Sequence, residues 1–349
     1  MKTASGNFFE DFRLGQKLVH ATPRTVGAGE AALYTALYGS RFALQSSDAL
    51  ARAVGLKASP LDPFLVFHIV FGKSVPDISL NAVANLGYAE GRFFKPVYPG
   101  ATLRAESEVI GLKENSNRQT GVVYVRTQGY DDNGDCVLDY VRWVMVRKRD
   151  AAAAIREERV PELASAVPAD ALFVPSEIDF KKLDLEASGS PYVWEDYQPG
   201  EKIDHIDGIT VEEAEHMMAT RLYQNTARVH FNLHAERESR FGKRLIYGGH
   251  VISLARAISF NGLANAHHIA AVNGGRHANP LFAGDTVFAW STVIDRCEIP
   301  GRTDCGALRL RLIATKNLPC TGFPDKDSTG RYPDNVVLDF DYWAAMPRR

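Results

Sequence analysis

Two stretches of this chain are mostly apolar, Pro63–Val75 and Leu245–Phe260, and each is long enough for a central buried helix. Ahead of each lies a helix candidate, Ala28–Tyr38 in one case and Val211–Leu222 in the other. Thr210 with Glu213 three residues on suits a capping box before the second. Further short helical stretches are predicted near Ser47–Val54 and Leu233–Phe241. Behind each apolar stretch the pattern turns to strands. Thr102–Ile110, Gly121–Gln128 and Cys136–Val146 are β-branched and partly alternating, with a hairpin turn at Asp131-Asp132-Asn133-Gly134-Asp135. Thr286–Asp295, Ala307–Thr315 and Val336–Trp343 repeat the series. A long apolar helix followed by an antiparallel meander, seen twice, predicts an α+β fold of two sheets, each wrapped around its own helix.

The duplication is also visible residue by residue. Phe9-Glu10-Asp11-Phe12-Arg13-Leu14-Gly15 lines up with Trp194-Glu195-Asp196-Tyr197-Gln198-Pro199-Gly200 at an offset of 185, and Leu37-Tyr38 matches Leu222-Tyr223 at the same offset. Gly91–Thr102 matches Gly275–Thr286 at 184. Several colinear matches at nearly one offset make two tandem copies of one unit. The expected organisation is a first copy over residues 1–150, a linker over 151–190 rich in Ala, Glu, Pro and charge, and a second copy over 191–349.

Composition narrows the function classes. Apolar residues make up 45% and charged residues 23%, ordinary for a folded globular chain. A net charge of -2 offers no basic surface for nucleic acid or an anionic membrane. No apolar run approaches the roughly 18–20 residues that span a bilayer, and the N-terminal segment lacks a signal-peptide core. Cys136, Cys297, Cys305 and Cys320 have no CxxC spacing, so they read as free thiols in a reducing cytoplasm. No phosphate loop, GxGxxG, GxSxG elbow or metal-ligand spacing is present, and His267-His268 and His277 lack carboxylate or thiol neighbours at ligand spacing.

Three segments invite chemistry. In Tyr223–Asn232, His230 follows Asn225 by five residues, and a loop histidine facing a pocket can exchange a proton with water. The plainer reading is a structural histidine, but copy one carries Gln45 at the matching place, so the fold does not demand an imidazole there. In Ile246-Tyr247-Gly248-Gly249-His250, paired glycines at a helix start leave backbone N–H groups open, a plausible oxyanion hole. Glycine for close packing is the alternative. Copy one is aligned here with Val66-Phe67-His68, which sets His68 against His250 and suggests that both are structural or line the pocket. The third segment, Pro280–Thr286 with its counterpart Pro96–Thr102, reads as a turn entering a strand.

Together these segments resemble the MaoC-type dehydratases of the hot-dog fold, the R-specific enoyl-CoA hydratases. That family carries Gly-Asp-x-Asn-Pro-x-His, matched here by Gln224–His230, then Ile-x-His-Gly, matched by Ile246–His250. Its Pro-Val-x-Pro-Gly-Asp-Thr-Leu turn is met by Pro96–Leu103 and more loosely by Pro280–Val287. Phe8–Gly15 and Ala36–Gln45 are similar, within it, to mesaconyl-CoA hydratases (2-methylfumaryl-CoA hydratases, β-methylmalyl-CoA dehydratases). The resemblance implies a tandem (double) hot-dog that reversibly hydrates an enoyl-CoA, with His230 as acid/base and the thioester carbonyl on Gly248 and Gly249. It implies CoA as part of the substrate, no other cofactor, no metal, and a homodimer of double hot-dogs. One departure matters. The family's catalytic Asp is Asn225 here, with Ser40 in copy one, and an amide accepts no proton at neutral pH. Either Asn225 orients water, or a carboxylate such as Asp48 or Glu236 approaches. Arg228 or Arg41 is expected to meet the acyl carboxylate of a dicarboxylic substrate. A hot-dog thioesterase and a non-catalytic acyl-CoA binder are the competing readings.

Overall fold

The apolar stretch of copy one forms a helix over Pro63–Ser74 in the computed structural model, which describes residues 2–153 and 157–349. Every residue from Phe64 to Ser74 is buried, as expected of a helix apolar on all sides. Pro63 fits the first position, where its missing N–H is not needed, and the Asp62 side chain caps the start by accepting from the Phe64 N–H at 2.8 Å. The matching helix of copy two runs Gly248–Ile258 and has no side-chain cap on Tyr247.

Around these helices lie ten strands: β1 (Lys17–Thr25), β2 (Ala82–Phe93), β3 (Thr102–Glu114), β4 (Thr120–Tyr130), β5 (Cys136–Arg147), β6 (Lys202–Thr210), β7 (His268–His277), β8 (Thr286–Glu298), β9 (Cys305–Lys316) and β10 (Val336–Pro347). The order is β1-β3-β4-β5-β2-β7-β10-β9-β8-β6. The expected two sheets are therefore the halves of one antiparallel sheet. They join where β2 meets β7, Tyr88 opposite Gly275 and Arg92 opposite Ala271. The hairpin turn expected between β4 and β5 is present, with Asp131 Oδ1 accepting from the Asn133 and Asp135 N–H groups.

Equivalent residues of the two copies touch each other. Tyr38 and Tyr223 are hydrogen-bonded through their hydroxyls at 2.5 Å, and His68 Nε2 lies 3.0 Å from Ser253 Oγ, each pair 185 apart in sequence. Equivalents can meet only on the axis relating two copies, so these contacts mark a pseudo-two-fold through the middle of the central helices. They also correct the alignment of the histidines. The helices start at Pro63 and Gly248, so His68 corresponds to Ser253, and His250 to Leu65. The residues opposite Gly248-Gly249 are Pro63-Phe64, still without glycine.

The early helices are Ala28–Tyr38 and Glu213–Leu222. The box at the second is closed by Glu215, whose carboxylate accepts from the Glu212 N–H at 3.0 Å. Thr210 is not part of it: its hydroxyl meets that of Thr286 across the β6–β8 pair. The second helical stretches shrink to Asp48–Ala53 and a single turn, Leu233–Glu236. The segment between the copies is anchored, for Val167, Leu172, Val174, Ile178 and Phe180 bury themselves against Leu44, Val54, Ala270 and Trp343. Its composition reads as a linker, yet an apolar side chain every few residues straps it over the joint between halves.

Candidate active site

His230 sits on a one-turn helix, Arg228–Phe231, in the loop that follows Glu213–Leu222. Its Nδ1–H donates to the Leu245 carbonyl at 2.8 Å, which fixes the tautomer and leaves the Nε2 lone pair free. Desolvation pushes its pKa down to about 4, so the ring is a neutral base at physiological pH. The ring is only half-buried, hence reachable.

The loop leading to it is pinned from copy one. A Cβ on Gly72 would lie 1.9 Å from the Tyr223 carbonyl oxygen, so glycine is what lets the loop press against the first central helix. Asn225 is buried at 1% exposure, and its Oδ1 accepts from the Ala227 N–H at 3.1 Å. Its Nδ2 is buried without a partner. A buried donor without a protein partner is costly, so Nδ2 is free to donate to a water or ligand oxygen. Asn225→Ala is expected to lower kcat/KM roughly 10²-fold, because it removes that donor and frees the Ala227 N–H that shapes the turn into His230. Asn225→Asp keeps the acceptor and should retain turnover with a second ionisation in the pH–rate profile. Steady-state kinetics from pH 5 to 9 check both, and an undamaged Ala variant would remove Asn225 from the site.

The helix start lies beside this loop. The Tyr247 N–H donates to His216 Nε2 at 2.9 Å, and the Ile246 N–H to the Leu281 carbonyl at 3.0 Å. The helix start has no side-chain cap, and the N–H groups of Gly248 and Gly249 belong to the first turn, at the positive end of the helix dipole. Both glycines are also required sterically. A Cβ on Gly248 would lie 2.3 Å from the His277 ring, and one on Gly249 2.4 Å from the Tyr247 ring and 2.6 Å from His68. The close-packing reading of the glycines therefore holds, ring against backbone.

The structure brings His230, Tyr247, Gly248 and His277 into one place. The His230 and Tyr247 rings are 5.4 Å apart and the His216 and His230 rings 6.3 Å. His277 approaches the Tyr88 hydroxyl with Nε2 at 3.4 Å, while its Nδ1 is buried without a partner. Behind them His250 Nδ1 lies 2.9 Å from the Tyr38 hydroxyl, with Glu215 3.7 Å from Nε2. His216, Tyr247, Tyr88 and His277 were not legible as site residues. His216 lies 31 positions from the backbone it holds, and only the ring of His277 beside a glycine gives it away.

Asp48 caps the Ser59 N–H and pairs with Arg52 on the surface of copy one, and its helix is the copy-one counterpart of the turn carrying Glu236. The Glu236 carboxylate has no hydrogen-bond or ion-pair partner among the described residues, its hydrogen bonds being those of its backbone to Asn232 and Ser239. Arg41 is exposed, its guanidinium 4.4 Å over the Phe260 ring, and Arg228 is exposed on the His230 turn. Neither enters the buried part of the site. In copy one the corresponding pocket is lined by Leu44, Gln45, Leu61, Pro63, Val97 and Ile178. There Gln45 stands in place of the imidazole and Pro63, which has no N–H, in place of Gly248, so this pocket lacks both the candidate base and one candidate donor.

The pattern that describes mesaconyl-CoA hydratases matches residues 2–319 of this sequence. The chain belongs to the mesaconyl-CoA hydratase family. It is 63% identical over 348 residues to a β-methylmalyl-CoA dehydratase of Chloroflexus aurantiacus, covering 100% of this chain and 99% of that protein. It is 61% identical over 350 residues to a mesaconyl-CoA hydratase of Cereibacter sphaeroides, covering all of both. The crystal structure of a MaoC domain protein dehydratase from Chloroflexus aurantiacus superposes with a TM-score of 0.98 at 62% identity, over 100% of this chain and 99% of that one. A conserved Mycobacterium tuberculosis protein with a double hot-dog fold superposes at 0.74 and 26% identity, over 99% of both. The family is one of hydro-lyases, and the fold is the double hot-dog expected from the sequence.

Proposed function

We propose that this protein reversibly hydrates mesaconyl-CoA (2-methylfumaryl-CoA) to β-methylmalyl-CoA. The observation that carries the reading is end-to-end identity above 60% with two proteins bearing those names, His230 and the paired glycines lying in one pocket. The thioester oxygen is received by the N–H groups of Gly248 and Gly249, where enolate charge develops. Nε2 of His230 takes a proton from water as the C–O bond forms, and the imidazolium then returns a proton to the α-carbon. Asn225 Nδ2 orients the water. CoA is the handle of the substrate, and no further cofactor or metal is assigned.

We place the enzyme in the cytoplasm, consistent with four unpaired cysteines, and as a homodimer of double hot-dogs, consistent with Val19 and Ile206 exposed on the outer strands β1 and β6. No helix among the described residues is long and apolar enough to cross a membrane.

The test follows enoyl-thioester absorbance and free thiol together on mesaconyl-CoA and crotonyl-CoA. Absorbance should fall to an equilibrium plateau without thiol release, with the higher kcat/KM on mesaconyl-CoA. Thiol release would make it a thioesterase, and no change in either signal a binder.

A further inference from the structure

Arg142 on β5 is fully buried, at 0% exposure, and no carboxylate lies within 4.0 Å of it among the described residues. Its Nη2 donates to Ser74 Oγ at 2.8 Å, both Nη atoms approach Ser79 Oγ at 3.4–3.5 Å, and its Cζ lies 4.2 Å over the Phe71 ring. Its Nε is buried without a partner, as is the nearby Tyr140 hydroxyl. A buried guanidinium met only by hydroxyls and rings is expensive unless an anion arrives to pair with it.

Its neighbours belong to the candidate active site. Arg142 is directly opposite Tyr88 across the β2–β5 pair, and Tyr88 is opposite Gly275 across β2–β7. His277, two residues past Gly275 on the same face, contacts Tyr88, and its ring fills the space where a Gly248 Cβ would be. Phe71, beneath the guanidinium, is 5.6 Å from the ring of Tyr247, whose backbone opens the glycine helix. A polar row His277–Tyr88–Arg142 therefore runs inward from the helix start.

The pseudo-symmetric half shows what is missing. Position 71 corresponds to Arg256, and position 142, by the match of Leu138-Asp139 to Leu338-Asp339, to Tyr342. The second half thus also buries one guanidinium between helix and last strand, with helix and strand exchanging the cation and the ring. Arg256 has Asp62 within electrostatic reach. Asp62 corresponds to Tyr247, so at the catalytic end no carboxylate of the protein takes its place.

We infer that Arg142, with the hydroxyls of Tyr140 and Tyr88, receives the free carboxylate at the far end of the substrate's four-carbon acyl group, so that copy one selects the substrate on which copy two acts. This rests on the mesaconyl-CoA reading. It moves the carboxylate contact from the exposed Arg41 and Arg228 to a dry site where a bidentate donor discriminates strongly.

The experiment measures kcat/KM on mesaconyl-CoA and crotonyl-CoA for wild type, Arg142→Met, Arg142→Lys, Tyr140→Phe and Arg228→Ala. The mesaconyl-to-crotonyl ratio should fall roughly 10²-fold or more in Arg142→Met, since the diacid then meets an apolar wall, and recover in part in Arg142→Lys. Arg228→Ala should move it far less. If Arg142→Met does not fold, Tyr140→Phe decides, because its hydroxyl has no partner to lose: a ratio lowered several-fold supports the inference and an unmoved ratio overturns it. Equal losses on both substrates in a folded Arg142→Met would make the guanidinium a clasp between β5 and the helix end, and also overturn it. A wild-type preference for crotonyl-CoA would instead overturn the substrate reading, and the inference with it.

Discussion

Acidification is expected to unfold this protein between pH 6 and pH 4, well above the range where carboxylates alone would act. Burial pushes His68 and His267 down to about 3, His205 to about 4 and His216 to about 2, against an ordinary value of 6.5. All four are at or below 1% exposure. A histidine held neutral in the fold but free to protonate when unfolded adds stability above pH 6.5. That stability is lost progressively as pH falls from there through the folded value, at about 1.4 kcal/mol per pH unit for each group. Four such groups over two pH units amount to about 11 kcal/mol, as much as the whole stability of an ordinary domain. Asp304, held down to about 2 mainly by its Arg302 hydrogen bond, works in the same direction but at lower pH. Melting temperatures by circular dichroism at pH 7.5, 6.0 and 4.5 check this, and a melting temperature at pH 4.5 equal to that at pH 7.5 would contradict it. Of these imidazoles, His216 lies beside His230 and His68 sits at the pseudo-two-fold contact with Ser253, so activity should fail with the fold on the acid side.

The parts of the fold that the sequence exposes are those with strong local signals. The two apolar helices announce themselves because nothing but a buried helix needs eleven consecutive buried residues, as in Phe64–Ser74. β2 and β7 carry no such signal, because Ala82-Val83-Ala84-Asn85 and Asn273-Gly274-Gly275 have little β-branched content, yet these strands hold the halves together. The histidine alignment failed by matching identical residues in place of helix starts, since Pro63 and Gly248 play one structural part with different chemistry. At the candidate site, Gln45 opposite His230 was the useful signal, and the structure adds that Pro63 lies opposite Gly248. Arg142 was hidden for a physical reason. β5 is buried along nearly its whole length, so a charged residue in its alternating pattern reads as solvent-facing when it is not.

Replacing His230 by Gln bears most directly on the central claim that one imidazole, in copy two, carries the hydration. Gln at this place is compatible with the fold, because Gln45 occupies the equivalent turn, Ala43–Ser46, in copy one. A glutamine amide can still donate to the Leu245 carbonyl that anchors Nδ1, so the loop keeps its clasp. What it cannot do is take a proton from water, and the neighbouring His216 already uses its Nε2 to hold the Tyr247 N–H. The measurement is kcat/KM for mesaconyl-CoA hydration by wild type and His230→Gln, with melting curves recorded on the same samples. A loss of roughly two to four decades with an unchanged melting temperature is the predicted result. A well-folded His230→Gln enzyme turning over at near the wild-type rate would contradict it.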